Sequence, residues 1–279
     1  MLDKKNGTPL STIFFAIVTA CFFTQSNGAL AQAGSTPASS NQSTLADRVN
    51  SSEQDYTSPQ ISSDQAFSPL GLACDLTLNA TKSVGAMVTL TFKAPCHAHE
   101  IITITHQGLQ FTTRTSEVGH ATVQLPVLVA AASFDVTLLN GSTISTTAHV
   151  PEVSDYHRVA LQWTGESGLE IHALEIGTAH GQRGRIITLG KLDFPTAKHV
   201  KIYSFPTAQM QTSGVVRLGL NAKVTAKTCN KEIKVQTLQS GVTGGISITD
   251  LALLMPSCDA IGDVLMLNNI LRDLKIEQN

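Results

Sequence analysis

The residues best suited to chemistry gather in Cys96-His97-Ala98-His99-Glu100. Two imidazoles two residues apart share one face of an extended strand, a spacing that can ligate a metal ion. Glu100 or His106 would supply a third ligand. The same residues also read as a polar turn after a half-cystine, bracketed by Ala94-Pro95 and an apolar run from Ile101. A second group is Glu170, His172 and His180, beside a Gly/His loop at 177–184. In an alternating strand Glu170 and His172 share a face opposite Ile171, where they could move protons or hold a metal. The plainer reading, a solvent-facing strand and loop, is preferred for both groups. His97, His99, His172 and His180 therefore stand as metal candidates only, and no cofactor is expected.

Two further residues are weighed and set lower. Ser167 lies in Gly165-Glu166-Ser167-Gly168, but Leu169 stands where G-x-S-x-G needs its second glycine, so no serine nucleophile is expected. Trp163, the only tryptophan, follows Val159 and Leu161 on one face and is expected in a core. Its alternative is a stacking platform for a ligand. Arg217, Lys223 and Lys227 form a modest basic stripe, read as a solvated face or a protected sheet edge.

These residues sit in a chain of 279 residues with only 14% charged residues and a net charge of −2. Soluble domains carry about 25% charge. Thr fills the gap, at 32 residues, and suits pleated, half-buried strands. The near-neutral balance excludes a phosphate-held nucleic-acid binder. No apolar run past the N-terminus approaches the length of a membrane helix.

The N-terminus reads as an export signal over residues 1–31. Lys4 and Lys5 precede an apolar stretch from Ile13 to Phe23, and Ala29-Leu30-Ala31 is an A-x-A cleavage site. Val18-Thr19-Ala20-Cys21 competes as a lipobox that would anchor the chain through Cys21. Either reading exports the chain to a bacterial periplasm or cell envelope. The mature chain then keeps Cys74, Cys96, Cys229 and Cys258, an even number that reads as disulfides in an oxidising compartment. Four cysteines allow three connectivities, and proximity in sequence favours Cys74–Cys96 and Cys229–Cys258.

Residues 32–71 are rich in Ser, Thr, Gln, Asn, Ala and Pro and read as a disordered linker. From Cys74 the period becomes two. Cys74, Leu76 and Leu78 alternate, then Val88, Leu90 and Phe92, then Ile102 and Ile104, then Leu109 and Phe111, then Ala121, Val123 and Leu125. Phe134, Val136 and Leu138 run into Asn140-Gly141, a type I′ hairpin signal, and Ile144 to Val150 returns. About seven short strands over 72–150 predict an Ig-like antiparallel sandwich. Pro151 to Tyr156 reads as a connector to a second β-rich domain, 151–279. Its clearest strand puts Val216, Leu218, Leu220, Ala222 and Val224 on one face. In the tail, alternation at Val264 and Met266, then Leu274 and Ile276, favours two short strands over a helix. The fold class is thus all-β, two tandem antiparallel sandwich-like domains behind a signal peptide and linker.

Two resemblances bear on this chain. His106-Gln107-Gly108, Phe111, Thr115, Gly119-His120-Ala121 and Val123-Gln124-Leu125-Pro126 resemble the T-D-x-x-G-x-A-x-x-x-L-P strand–turn–strand of bacterial Ig-like and transthyretin-like modules, with Glu117 where Asp is usual. More broadly, Ala94-Pro95-Cys96, Leu161-Gln162-Trp163, Ser167-Gly168-Leu169, His172-Ala173-Leu174-Glu175 and Met255-Pro256-Ser257-Cys258-Asp259-Ala260 resemble an uncharacterised family of exported alphaproteobacterial (Rhodobacter-type) proteins that often carry the label translocase. That resemblance implies export and carries no activity or site. A nucleotide-driven translocase needs a phosphate loop, and Gly184 and Gly190-Lys191-Leu192 have neither its spacing nor its Ser/Thr.

The function expected is that of an exported, non-enzymatic binding or structural module that meets an envelope protein or a glycan. The alternative is a metal-dependent or carbohydrate-active periplasmic enzyme built on the loop around 170–184.

Overall fold

The computed structural model describes residues 66–177, 183–208, 213–240 and 245–277, all within the compact unit Pro59–Asn279. The export signal, Cys21, most of the linker and His180 lie outside the described residues.

The described chain is all-β and antiparallel. Seven strands form its first part: β1 (Thr77–Ser83), β2 (Met87–Lys93), β3 (Ile101–His106), β4 (Leu109–Arg114), β5 (His120–Pro126), β6 (Ala131–Thr137) and β7 (Thr143–His149). They make a β1-β2-β5 sheet and a β4-β3-β6-β7 sheet. The alternating residues Val88, Leu90, Phe92, Ile102, Ile104 and Phe134 meet in one core, each almost fully buried. Their Thr partners face outward, which is why alternation was so clean here.

The second part holds β8 (Tyr156–Thr164), β9 (Leu169–Ile176), β10 (Arg185–Leu189), β11 (Lys198–Pro206), β12 (Gly214–Lys223), β13 (Glu232–Ser240), β14 (Ile246–Leu254), β15 (Val264–Asn268) and β16 (Leu274–Ile276). One sheet runs β10-β11-β8-β13-β14. In the other, β12 pairs with β9, β15 and β16. Val216, Leu218, Leu220, Ala222 and Val224 enter a second core as their spacing predicts. The tail is strand at Val264–Asn268 and again at Leu274–Ile276.

The five-stranded sheet is covered on both faces. Val159 and Leu161 of β8 enter the second core, while Ala160 joins Val200, Ile202 and Leu238 in the first. Four consecutive residues, Arg158 to Leu161, are therefore buried, the pattern of a strand with no solvent face. Arg158 ties the parts together. Its Nε donates to Ser204 Oγ, its Nη1 to the carbonyls of Ala86 and Val127, and its Nη2 to that of Gly85.

Four local expectations change. The first strand begins at Thr77, not Cys74, because Cys74 is held by a hairpin-like turn in which Phe67 bridges Ala73 and Cys74 N donates to Ala66 O. Residues 66–71, read as linker, belong to that turn. The Asn140-Gly141 turn is not type I′, which needs positive φ at both residues; only Gly141 has it, at 87°. Leu138 N donates to Ser142 O and Gly141 N to Leu138 O, a three-residue loop with glycine in the left-handed position. The connector at Pro151 is one 3-10 turn, Pro151–Asp155, feeding β8 directly.

Candidate functional site

One of the two cysteine pairs shapes the site. Cys74–Cys96 and Cys229–Cys258 are both joined, with Cα–Cα distances of 5.1 and 4.9 Å. This is the connectivity favoured by sequence proximity.

The H-x-H segment lies in two consecutive turns between β2 and β3, so its imidazoles do not share a strand face. His99 sits in the left-handed region at φ 56°. His97 Nδ1 lies 2.5 Å from Glu100 Oε2, and Glu100 Oε1 accepts from Leu139 N at 3.0 Å. Thr115 Oγ1 donates to His97 O and accepts from Glu100 N. The carboxylate thus closes a loop. His106 does not join it: the ring is buried, with Nδ1 on Ser133 O and Nε2 accepting from Leu128 N. Both nitrogens are occupied, and neither is open to a metal.

Around β9, Glu170 and His172 do share the exposed face. Glu170 pairs with Lys201 Nζ. Glu175 takes a different role, accepting from Tyr203 Oη at 2.9 Å and from Gly184 N at 2.8 Å. Burial, then the hydrogen bond from Tyr203 to Glu175, pushes the phenol well above its usual range. Ser167 is buried and its Oγ accepts from Leu169 N. Among the described residues, no group of three or more His, Cys, Asp or Glu converges on a point where a metal could sit.

A concavity lies elsewhere, where β8 and β13 of the five-stranded sheet part. β8 and β13 pair over Val159↔Gln239 to Trp163↔Val235 and then part. β8 continues against β11 to Thr164↔Lys198, and β13 continues against β14 to Glu232↔Leu254. Each strand is anchored to its other neighbour at this end. Gly165 N donates to Ala197 O at 2.8 Å and draws the end of β8 onto the 193–197 loop. Gly165 has φ 72°, and a Cβ there would lie 2.8 Å from Pro195 O, so only glycine allows this approach. On the other side the Cys229–Cys258 bond, with Asn230 N on Pro256 O and Met255 N on Lys231 O, holds the start of β13 to the end of β14.

The split leaves a half-open groove of about 1120 Å³. Trp163 and Phe194 supply its aromatic surface, both half-buried. Trp163 packs against the second core but sits at its rim, which corrects the expectation of a purely core residue. His199 stacks on the indole with ring centroids 5.7 Å apart and planes at 22°, and its own Nδ1 contacts Gly190 O. The indole N–H has no hydrogen-bond partner among the described residues.

A line of amides runs on the other face of the sheet from Trp163, the face that Ala160 and Leu238 share. Gln162 Oε1 accepts from Gln110 N at 2.7 Å, and Gln162 Nε2 donates to Gly108 O and Gln236 Oε1. Gln236 Nε2 donates to Asp250 Oδ1 at 2.8 Å, and Lys198 Nζ donates to Gln110 Oε1. At the rim Lys227 pairs with Glu166, and that hydrogen bond raises the ammonium pKa. Lys231, Glu232 and Lys234 also line the groove, exposed, and their side chains make no hydrogen bond or ion pair with the described residues. Among these residues Trp163, Glu166 and Lys227 were weighed from the sequence, and none of them pointed to a groove. The glutamines come from three strands far apart in the chain, and their convergence is a property of register alone.

Comparison with protein-family models and with curated proteins returns no match.

Proposed function

We propose that the chain is an exported, non-enzymatic binding module of the bacterial envelope, and that the groove beside Trp163 is its ligand-contacting surface. The observation that carries this reading is the split between β8 and β13. Two independent anchors, one needing a glycine and one a disulfide, hold each strand to its other neighbour where their pairing ends. A concave cleft lined by an aromatic ring and a few polar side chains is the ordinary form of a ligand site. Two joined cysteine pairs support an oxidising compartment, and no helix among the described residues is long and apolar enough to cross a membrane.

The test is site-specific photo-crosslinking in the native host. A benzophenone amino acid replaces Lys234 in the groove, or Leu139, which is 73% exposed on the β6–β7 turn. A discrete adduct at 234 and none at 139 is expected. No adduct at 234, or equal adducts at both, overturns the reading.

A further inference from the structure

We infer that the outer face of the β9-β12-β15 sheet is a contact surface for an anionic phospholipid bilayer. The face follows from the register, since directly opposed residues of antiparallel strands point to the same side. Leu174 lies opposite Arg217. Ile176 lies opposite Val215, which has Lys275 on its other flank. At the far end Val264 lies opposite Lys223, and Met266 lies opposite Asn221. The alternate residues of β12, from Val216 to Ala222, fill the second core, so these side chains occupy the sheet's other side. Leu174, Ile176, Val264 and Met266 are 43–62% exposed, and no element among the described residues covers them.

Charge complementarity names the occupant. Arg217, Lys223 and Lys275 are exposed and make no ion pair with the described residues. The carboxylate that the strands place on this face, Glu170, is already paired with Lys201. The face therefore presents unmatched cations standing among apolar side chains. Each such cation raises affinity for an anionic leaflet roughly five-fold, and the apolar groups enter the boundary between headgroups and acyl chains. The layout differs from that of a protein interface, which gathers apolar contacts at its centre and charges at its rim. Here the apolar residues stand toward the two ends, and the middle row is polar: His172 and Asn268 flank Gly219. The groove belongs to the other sheet, so the two surfaces are tested separately.

The test is co-sedimentation of the purified mature chain with vesicles of phosphatidylcholine, with and without phosphatidylglycerol. Binding to the anionic vesicles alone, released by added salt, is expected. Arg217→Gln combined with Lys223→Gln should weaken it roughly twenty-fold. The same loss of charge elsewhere, Lys93→Gln combined with Lys191→Gln, should leave binding as in the native chain. Leu174→Ser combined with Met266→Ser should weaken it roughly ten-fold through the apolar contact. All the replaced side chains are exposed, and the charged and apolar pairs test the face independently. Equal binding to neutral vesicles, equal loss in the control variant, or no binding to either vesicle overturns the inference. Retention on immobilised polyglutamate without vesicle binding assigns the face to an acidic protein and overturns it as well.

Discussion

Arg158 donates from Nη1 to the carbonyl oxygen of Val127, and this contact ties β8 to the loop after β5. The guanidinium is buried, and its charge is met by carbonyls, by Ser204 and by the Tyr156 ring 4.8 Å from Cζ. Burial lowers its pKa to about 10, which still leaves it charged at neutral pH.

Replacing Arg158 with Met leaves the carbonyls of Gly85, Ala86 and Val127 without their donor. A loss of about 3–5 kcal/mol is expected. Arg158→Lys should also destabilise, because one ammonium cannot reproduce a planar fork directed at several acceptors. Urea denaturation measures both. A loss under about 1 kcal/mol for the Met variant would show that the junction does not depend on this residue.

The strands were legible because polar residues alternate with Val, Leu, Ile and Phe, Thr in β2 and Arg217, Asn221 and Lys223 in β12. β8 was legible as a strand but not as a doubly covered one. The consecutive burial of Arg158 to Leu161 depends on residues of the first seven strands packing across it, which no local pattern encodes. The groove was illegible for the same reason. Trp163 follows Val159 and Leu161 and looks like their companion. It reaches the rim because β8 and β13 diverge one residue later, where a glycine contact and a disulfide distant from it in sequence hold each strand to its other neighbour. The H-x-H spacing misled in the opposite direction, since face-sharing assumes extended backbone and His99 has left-handed backbone.

Both disulfides should be structural. Cys229 and Cys258 lie 29 residues apart and Cys74 and Cys96 lie 22 apart. Loops of this length give about 3–4 kcal/mol each in the chain-entropy account. Free-thiol titration of the unfolded, unreduced mature chain should find none. The double replacement of Cys229 and Cys258 by Ser should lower stability by about that amount and loosen the groove wall carrying Lys227, Thr228 and Lys231. The test is the thermal midpoint together with the emission of Trp163.

Gly165→Ala tests the opposite wall. Its left-handed backbone disfavours any Cβ by about 1–2 kcal/mol, and the Pro195 carbonyl stands in the way of one. The expected result is a destabilised protein in which the groove relaxes and the crosslink from position 234 weakens. An unchanged melting temperature would show that the 193–197 loop yields freely.

Export makes a prediction about mass. The A-x-A site predicts a mature chain beginning at Gln32, measured as an intact mass from the periplasmic fraction. A diacylated N-terminal Cys21 would replace this with the lipobox reading. Retention of Met1 in the cytoplasm would overturn both.

His106 makes stability depend on acid. Burial is the main reason its pKa falls from 6.5 to about 4, against the raising effect of its bond to Ser133 O. The neutral ring donates from Nδ1 to that carbonyl and accepts at Nε2 from Leu128 N, while stacking on Phe134 at 4.7 Å. Protonation removes the acceptor, so the folded state resists it. Between pH 4 and 6.5 the unfolded chain holds the extra proton, and stability rises with pH through that window. The contribution is full above 6.5, falls as acid is added and is gone below 4, a total of about 3 kcal/mol. His157, whose pKa burial also lowers, adds a slope of the same sign. Carboxylates titrate in the same range, so the decisive quantity is a difference. His106→Phe should be less stable than the native chain at pH 7, and the gap between the two should narrow steadily toward pH 4. A gap that stays constant across the window would show that His106 keeps its ordinary proton affinity in the fold.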